Sequence, residues 1–514
     1  MPVLRSLWRC RSGNVAMMFA LAIIPLFGVV GAAVDYTRIS RAQLRLADAL
    51  DAALLSVGSQ PEMTDKQAFA AVDAWMHAHL DTGWTGAWQL ASLTQDGGKL
   101  TAVATTVVDM TLARLLGVDQ VPVRVLSEAI RSLGKLELAM VLDNTGSMKG
   151  TKIATLKTAA GELVDSLAKT TKKPEDLRIA LVPFSQTVNV GPGYEKASWL
   201  DAAGDSASAK SLFLGQTVNR LDLFKAVGAA WGGCVETLAM PYEIEAAAPD
   251  PAKPDTLYVP YFAPDEPGNK VSGGYNNSYL KDSPLKAVKD ALAAQGLPAD
   301  QPDFQLLQGD VQKYTGTPSS GTTGAFGYQY GPNSGCEIAP LLRLSTNTTA
   351  VQQAINAMIA NGNTDIPIGL TWGWNVLAPS GPFGDGVAYG DDEWTKVVVL
   401  MTDGNNENQV GNLEDQSYYS GIGYIWQGRI GATSADKATR TKLRDGRLGE
   451  ICAKMKAEGV VIYTVRVEVK NGSSDVLLKC ATEPENFYDV DDVGDLVAVF
   501  ADIGGKIQKL RLAM

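Results

Sequence analysis

The sequence predicts an α/β protein with a doubly wound, mostly parallel sheet and a long irregular insert, preceded by a transmembrane helix and a small α+β unit. Three observations predict this organisation. Twenty residues without a charge stand near the N-terminus, strands alternate with helices from Leu136 onward, and 514 residues exceed one ordinary hydrophobic core. We therefore expect a membrane anchor followed by two folded units.

Composition disfavours two classes of protein. The net charge is −11 with a pI of about 4.9, and no Lys/Arg stripe follows residue 50, so a nucleic-acid partner is not expected. No Cys-x-x-Cys pair occurs, which disfavours zinc and iron–sulfur sites. His77 and His79 are the only histidines. Two residues apart they cannot share a helix face, so we expect them at the surface.

The predicted transmembrane helix covers residues 15–34. At 1.5 Å per residue this run spans roughly 30 Å, the thickness of the hydrocarbon core. Three arginines precede the run and Asp35 follows it. The positive-inside rule then predicts a single-pass protein with residues 1–14 in the cytoplasm and the bulk of the chain outside.

Other interpretations of this run remain open. A cleaved signal peptide is the main one, because Gly31–Ala33 offers small residues to a signal peptidase. The run is longer than a typical signal core and continues directly into another helix, which favours an anchor. A prepilin-type cut after Gly13 is disfavoured because Met18 stands where those peptidases favour Glu. A buried soluble helix is rarely this long and apolar.

Residues 35–57 predict a second, amphipathic helix, since apolar residues recur at three- and four-residue steps. Its apolar stripe fits two interpretations: packing on its own domain, or a pilin-like stalk that packs against sister helices. Residues 58–132 predict a small α+β unit. There, "DKQAFAAVDAWMHAHL" has helical periodicity, and "KLTAVATTVV" and "VPVRVLSEAI" are typical of strands.

The α/β domain is predicted over residues 135–512. Strands are expected at "LELAMVLD", "LRIALVPFS", "TKVVVLMTD", "VVIYTVRVEV" and "NFYDV", with helices between them. Gly459 is expected to end one of these helices. Inserts are expected at about 190–340 and 405–437. A structureless loop as long as the first insert is improbable in a compact domain. We therefore interpret the first insert as a lobe that is fixed by a covalent bridge and lacks a core of its own.

Five side chains predict a metal site. Asp143, Thr145 and Ser147 form a D-x-T-x-S pattern after the first strand, Asp403 follows the "VVVLM" strand, and Thr364 stands in a turn before a helix. Loops at the carboxyl ends of parallel strands converge on one crevice. We therefore expect these five side chains to point into it.

Two carboxylates and three hydroxyls form a hard-oxygen site that suits Mg²⁺ or Mn²⁺ in octahedral geometry, with waters completing the shell. An open position could accept an acidic side chain from a protein partner. Each piece alone has a plainer explanation, since a D-x-T-x-S turn often only caps a helix and strands commonly end in Asp-Gly. The three motifs together favour a metal site, because each stands at the end of a strand or at the start of a helix where the loops converge.

Five cysteines predict two disulfides. Cys10 would lie on the reducing side of the membrane and the other four on the oxidising side. Four cysteines allow three pairings, and proximity favours Cys234 with Cys336 and Cys452 with Cys480. The first bridge would stabilise the fold by about 4 to 5 kcal/mol in the chain-entropy model. Four free thiols are the alternative if this part were cytosolic.

The motifs "VLDNTGSM", "GNTDIPIGLTWGWNVLAP" and "VVVLMTDGNNE" resemble the metal-ion-dependent adhesion site (MIDAS) segments of von Willebrand factor A (VWFA) domains, which have a Rossmann-like fold. The second motif is similar to TadG-like proteins of the Tad (Flp) pilus assembly system. "RSGNVAMMFALAIIPLFGVVGAAVDYTR" resembles their N-terminal Tad segment. Together these resemblances cover about residues 10–57 and 136–512. Thr145 departs from the usual Ser but keeps the hydroxyl.

The resemblance implies a bacterial inner-membrane component of pilus biogenesis that faces the periplasm. Three functions are weighed: an adhesion or assembly module whose metal binds an acidic side chain on another pilus component, a structural pilin-like subunit with a passive A domain, and a metal-dependent hydrolase. The hydrolase is disfavoured, because no His lies near the motifs and no Glu is placed as a general base. We therefore do not expect this protein to be an enzyme.

Overall fold

The computed structural model describes residues 13–512, except residues 59, 61–62, 81–86, 97–98, 131–133, 172, 269–276, 317, 319–328, 409–413 and 470–473. Cys10 and the arginines that precede the predicted span lie outside these residues. The chain divides into two compact units, one that reaches to residue 133 and includes residues 508–513, and one over residues 134–507.

The first unit begins with a single helix, α1 (Gly13–Gly58), which joins both predicted N-terminal helices without a break. By length and composition α1 is the one helix in the described part of the chain that could cross a membrane. Its N-terminal half exposes large apolar side chains: Phe19, Phe27 and Val29 are 67%, 63% and 70% exposed. Such exposure suits a helix surrounded by lipid.

The rest of this unit is α2 (Asp65–Leu80) and an antiparallel sheet of β1 (Trp88–Asp96), β2 (Lys99–Asp109) and β3 (Gln120–Ile130), in that order. The sequence predicted α2, β2 and β3 but not β1. The register of β1 shifts between Leu90 and Ser92, which breaks the alternation by which strands are recognised. His77 and His79 are exposed, as predicted.

The C-terminal half of α1 packs on its own unit. Leu46, Leu50 and Leu54 are fully buried and share a core with α2 and the sheet, including Val72 and Leu100. The apolar stripe of α1 is therefore covered along this half by the fold that follows it, which supports the first of the two interpretations.

Asp35 fixes α1 to the loop between β2 and β3. Its Oδ1 accepts a hydrogen bond from the amide of Thr111 at 2.8 Å, and its Oδ2 accepts bonds from the amides of Leu112 and Ala113 at 3.0 and 2.7 Å. Asp35 is only 4% exposed. A buried carboxylate is tolerated here because three backbone donors replace its water.

The second unit is a mixed α/β domain. Its strands are β4 (Lys135–Asp143), β5 (Leu177–Phe184), β6 (Val188–Asn189), β7 (Cys234–Val235), β8 (Leu342–Ser345), β9 (Trp394–Thr402), β10 (Val461–Val467) and β11 (Phe487–Val490). Six of them form a mostly parallel sheet of order β11-β10-β9-β4-β5-β8. Only the edge strand β8 runs antiparallel in this sheet, and β6 pairs with β7 apart from it. The sequence did not predict β8, which has four residues.

Ten helices are described after residue 134: α3 (Thr151–Thr170), α4 (Ala207–Leu212), α5 (Arg220–Ala226), α6 (Leu285–Ala294), α7 (Asp303–Gln308), α8 (Thr348–Ala357), α9 (Ile366–Leu377), α10 (Lys437–Ala457), α11 (Ser474–Cys480) and α12 (Leu496–Leu512). Every residue of β4 after Lys135 is buried, so both faces of the sheet are covered. Helix α9 is buried throughout. A Cβ on its Gly369 would lie 2.4 Å from the Phe184 ring, so glycine allows α9 to approach the sheet.

The order of the strands reverses between β4 and β9. The chain moves outward from β4 through β5 to β8, returns to pair β9 with β4, and continues outward to β10 and β11. In open α/β sheets, a crevice for ligands forms at the carboxyl ends of the two strands that flank this reversal. The loops after β4 and β9 therefore face each other across the crevice.

The expectation that the first insert lacks a core is wrong. Trp199, Phe213 and Tyr261 are buried in the same cluster as Val182 and Phe184 of the sheet. Leu214, Val288, Leu292 and Leu306 form a second, smaller cluster. Few runs of the insert are periodic, and no local period marks the burial of residues such as Trp199 and Tyr261, so the sequence pattern did not show that they are buried.

Both expected disulfides are present. Cys234 is bonded to Cys336 across the insert, and Cys452 in α10 is bonded to Cys480 at the end of α11.

Candidate metal centre

Asp143 ends β4 at the carboxyl edge of the sheet and is fully buried. Its Oδ1 accepts a hydrogen bond from the amide of Thr145 at 2.8 Å. Its Oδ2 accepts one from the hydroxyl of Thr402, the last residue of β9, at 2.7 Å. The carboxylate of Asp143 is thus oriented by both strands that flank the reversal.

The loop after β4 is connected to the loop after β9 by side-chain oxygens. The hydroxyls of Thr145 and Ser147 are 2.9 Å apart, and the Ser147 hydroxyl donates to Oδ1 of Asp403 at 2.6 Å. Asp143, Thr145, Ser147 and Asp403 therefore form one continuous hydrogen-bonded group.

Thr364 reaches the same edge from the turn before α9. A methyl group built on the Cα of Gly404 would lie 3.5 Å from the Thr364 hydroxyl, which places that hydroxyl beside the residue after Asp403. The Gly146 amide donates to the Gly362 carbonyl at 2.8 Å, and so joins this turn to the loop after β4. The structure thus brings all five predicted side chains to one edge of the sheet.

A buried ion pair holds the turn that carries Thr364. Asp365 caps the N-terminus of α9 by accepting from the Ile368 amide at 3.1 Å. The same oxygen is 2.6 Å from Nη2 of Arg444 in α10, and Nη1 of Arg444 binds Glu243. Arg444 is 1% exposed, so the start of α9 is anchored from inside the domain.

Lys152, in the first turn of α3, contacts the predicted site although the sequence reasoning missed it. Its Nζ donates to Oδ2 of Asp403 at 2.9 Å and lies 3.1 Å from Oε2 of Glu468. One signal was available: a lysine in the first turn of a helix stands at the positive end of the helix dipole, where cations are disfavoured without a partner. Thr402 was noted in the sequence at the end of the "VVVLM" strand, but it was not included among the five predicted site residues.

Burial and charge shift the pKa values of these groups. Burial and, to a smaller extent, the nearby carboxylate of Asp403 raise the pKa of Asp143 to about 7. Burial lowers the pKa of Lys152, but hydrogen bonds to Asp403 and Glu468 outweigh this effect, and its pKa is raised overall. The Lys152 hydrogen bond lowers the pKa of Glu468. Two carboxylates close together in a buried place favour a cation between them.

The donor set fits a hard divalent cation. Carboxylate and hydroxyl oxygens are the ligands that Mg²⁺ prefers, and two carboxylates leave positions for water. The side chain of Asn144 is fully buried, and neither its amide nitrogen nor its oxygen has a hydrogen-bond partner in the described residues. Because buried polar atoms in proteins are normally hydrogen-bonded, the Asn144 side chain is suited to bind a further polar group near the loop.

A polar hollow opens next to the candidate site. Asn363 and Asp365, the neighbours of Thr364, line it together with Glu407 and Asn408.

Comparison with known families identifies the N-terminal segment. Residues 13–60 match the family described as "Putative Flp pilus-assembly TadE/G-like". The match covers the length of α1, so the expected Tad resemblance is confirmed for this segment. No curated protein matches the chain in sequence.

Among solved structures, the pilus adhesin SpaC of Lactobacillus rhamnosus GG is similar with a TM-score of 0.32 and 11% identity, over 82% of this chain and 34% of the SpaC chain. The vWF domain of a type V pilus tip protein from Porphyromonas gingivalis has the same TM-score and identity, over 73% of this chain and 95% of that domain. A variant of the PilB minor pilin of Streptococcus sanguinis gives 0.31 and 10%, over 83% and 78%. This chain thus spans about a third of SpaC, and scores this low support no further argument.

Proposed function

We propose that this chain is a membrane-anchored, periplasm-facing component of Tad/Flp-type pilus assembly or adhesion that binds a protein partner through a divalent cation. The observation that carries the proposal is the convergence of Asp143, Thr145, Ser147, Thr364 and Asp403 at the reversal of the strand order. Its connection with pilus assembly rests on the family match of residues 13–60.

The assignment of the second unit as a VWFA domain with a MIDAS is part of this proposal. Its support is the D-x-T-x-S motif, placed on the strand at the reversal, and the parallel order of the strands around it. In such a site Mg²⁺ or Mn²⁺ would be held by the five oxygen-bearing side chains. The bound cation would supply an electrophilic centre that an acidic side chain of a partner can ligate.

The protein's own residues prepare this site. Thr402 and the Thr145 amide hold both oxygens of Asp143, and Ser147 orients Asp403. Arg444 and Asp365 fix the turn that presents Thr364. A site whose side chains are already held by these hydrogen bonds and ion pairs loses little entropy when the cation and the partner bind.

We propose a binding role without catalysis. Hydrolysis at a metal needs an activated water and usually a general base, and both histidines of the chain lie in the other unit. A purely structural, pilin-like role of α1 is the alternative. The buried stripe at Leu46, Leu50 and Leu54 weighs against it, because that surface is already covered.

The two disulfides support a location outside the cytoplasm, since disulfides persist in oxidising compartments such as the periplasm. The proposed orientation therefore places residues 1–14 in the cytoplasm and both folded units in the periplasm, with α1 crossing the inner membrane.

The test is a pull-down of partners from solubilised membranes with the full-length protein, in Mg²⁺ or with a chelator. We expect one or more pilus components to be retained in Mg²⁺ and released by the chelator. Asp143→Asn with Asp403→Asn keeps the shape of the site but removes both charges, and should abolish this retention. Asp222→Ala, which changes an exposed surface ion pair, is the control. Unchanged retention by the double variant would contradict the proposal.

A further inference from the structure

Lys152 binds the same carboxylate that the proposed cation would use. Oδ1 of Asp403 accepts from Ser147 at 2.6 Å, and Oδ2 accepts from Lys152 Nζ at 2.9 Å. The Asp403 side chain is fully buried, whereas that of Lys152 is 22% exposed. The ammonium thus reaches Asp403 from the more open side of the group.

The position of Lys152 in α3 is unfavourable by itself. The first helical turn lies at the positive end of the macrodipole, and that turn of α3 contains no acidic residue to offset a cation. Its two carboxylate partners explain why a lysine is nevertheless held there, because they replace the water around the ammonium with charge-assisted hydrogen bonds.

A divalent cation bonded to Asp403 would lie close to this ammonium. Two positive charges a few ångströms apart in a partly buried place repel each other strongly, because little water screens them. Lys152 and the cation therefore compete for the negative charge of Asp403.

Glu468 offers Lys152 a second acceptor. It follows the end of β10, its Oε2 lies 3.1 Å from Lys152 Nζ, and its Oε1 accepts from the Val493 amide at 3.2 Å. Glu468 is thus held in place by an interaction that does not involve Lys152. The ammonium can leave Asp403 by turning toward Glu468, so it need not give up its ion pair.

We propose that Lys152 is a tethered competitor of the divalent cation, and that Glu468 takes up its ammonium when the cation binds Asp403. Lys152 and Glu468 together set the affinity of the site for the divalent cation. Lys152 weakens this affinity, and Glu468 restores part of it. This inference rests on the proposed function, because it concerns the same site.

The test measures Mg²⁺ binding to the purified full-length protein by isothermal titration calorimetry, together with the Mg²⁺-dependent rise in melting temperature. Lys152→Met should bind Mg²⁺ at least tenfold more tightly than the wild type. Glu468→Gln should bind severalfold more weakly, because Lys152 then has only Asp403. Lys152→Arg keeps the charge and should stay within a fewfold of the wild type.

Lys169→Met is the matched control. It removes an equal charge from the same helix, roughly 25 Å along α3 from Lys152, and Lys169 is exposed. Its Mg²⁺ affinity should equal that of the wild type. A gain of affinity in Lys152→Met cannot arise from damage to the fold, so misfolding cannot imitate the expected result.

The outcomes separate the two proposals. If the wild type binds Mg²⁺ and Lys152→Met binds it equally or more weakly, the competition is refuted while the metal site stands. If Glu468→Gln binds as tightly as the wild type, its role as the second acceptor is refuted. If the wild type shows no cation binding, the proposed function fails and this inference fails with it.

Discussion

Nη2 of Arg444 lies 2.6 Å from Oδ1 of Asp365, so a buried guanidinium in α10 holds the residue that begins α9. The same guanidinium pairs with Glu243, which is 3% exposed. Three charges are thus removed from water together, and the two carboxylates are tolerated there because the guanidinium lies between them. The turn with Thr364 is attached directly to this group.

Arg444→Met should therefore destabilise the protein strongly. The substitution leaves Asp365 without its cation and leaves Glu243 with only the longer, 3.8 Å contact to Arg447, which costs about 3 to 5 kcal/mol in free energy of unfolding. Urea denaturation of the full-length protein measures this cost. Lys442→Met removes a charge two residues away on the exposed side of the same helix and should change the stability by less than about 0.5 kcal/mol. Equal stabilities of the two variants would show that the buried group does not hold the start of α9.

The two disulfides should stabilise the domain unequally. Cys234 and Cys336 are separated by 102 residues, and Cys452 and Cys480 by 28. In the chain-entropy model, loss of the first bridge costs about 4 to 5 kcal/mol and loss of the second about 3 to 4 kcal/mol. Guanidinium denaturation of the paired Cys→Ala variants gives both values. A larger loss from the second pair would show that strain or residual structure outweighs loop length.

The pair Glu266 and Asp415 should make stability depend on pH. Burial and, to a smaller extent, repulsion from Asp415 raise the pKa of Glu266 to about 8. The folded state therefore holds a proton that the unfolded chain releases near pH 4.5. The stability that depends on this proton is complete below pH 4.5 and is lost as the pH rises to about 8.

Glu266→Gln should abolish that loss, because the neutral amide needs no proton. Urea denaturation gives the free energy of unfolding of both proteins at pH 5 and at pH 8. The value for the variant minus the value for the wild type should be larger at pH 8 than at pH 5. The matched control is Glu175→Gln, at an exposed glutamate. A difference between variant and wild type that is the same at both pH values would mean that Glu266 titrates normally.

Asp35→Ala should loosen the loop between β2 and β3. The change leaves the amides of Thr111, Leu112 and Ala113 without their acceptor, at a cost of about 1 to 3 kcal/mol. Amide hydrogen exchange in detergent should become faster at these three residues. Asp48→Ala, at an exposed position on the same helix, should leave their exchange unchanged. Equal protection in both variants would show that Asp35 does not hold the loop.

Thr145 allows a test of the hydroxyl itself. Thr145→Ser keeps the oxygen and should bind Mg²⁺ within a fewfold of the wild type, whereas Thr145→Val has the same shape without the oxygen and should bind about 10-fold more weakly or worse. Calorimetric titration compares the two variants. Tight binding by Thr145→Val would remove this residue from the ligand set.

The sequence predicted most of the sheet, because a covered parallel strand such as β4 or β9 is a continuous apolar run. It missed β8, whose four residues are only partly buried. It also missed β1, where the register shift hides the alternation. The burial of Trp199 and Tyr261 in the main core comes from contacts distant in sequence, and no local period marks such contacts.

The candidate site could be predicted because its motifs stand directly at the ends of strands, so the topology of the sheet alone brings Asp143 and Asp403 together. Lys152 and Glu468 could not be paired in advance. They are separated by 316 positions in the chain, and their approach depends on how the first turn of α3 faces the end of β10. Such contacts between loops require coordinates.

Helix α1 is one continuous helix of 46 residues, roughly 69 Å long, and its C-terminal half forms part of a folded core. Tension on that core is therefore transmitted directly to the apolar N-terminal half of α1, because no flexible linker lies between them. A load carried by this unit would pull α1 along its own axis, and the Leu46, Leu50 and Leu54 contacts would resist it in shear. Insertion of a short glycine–serine linker near residue 36 would uncouple the two halves mechanically.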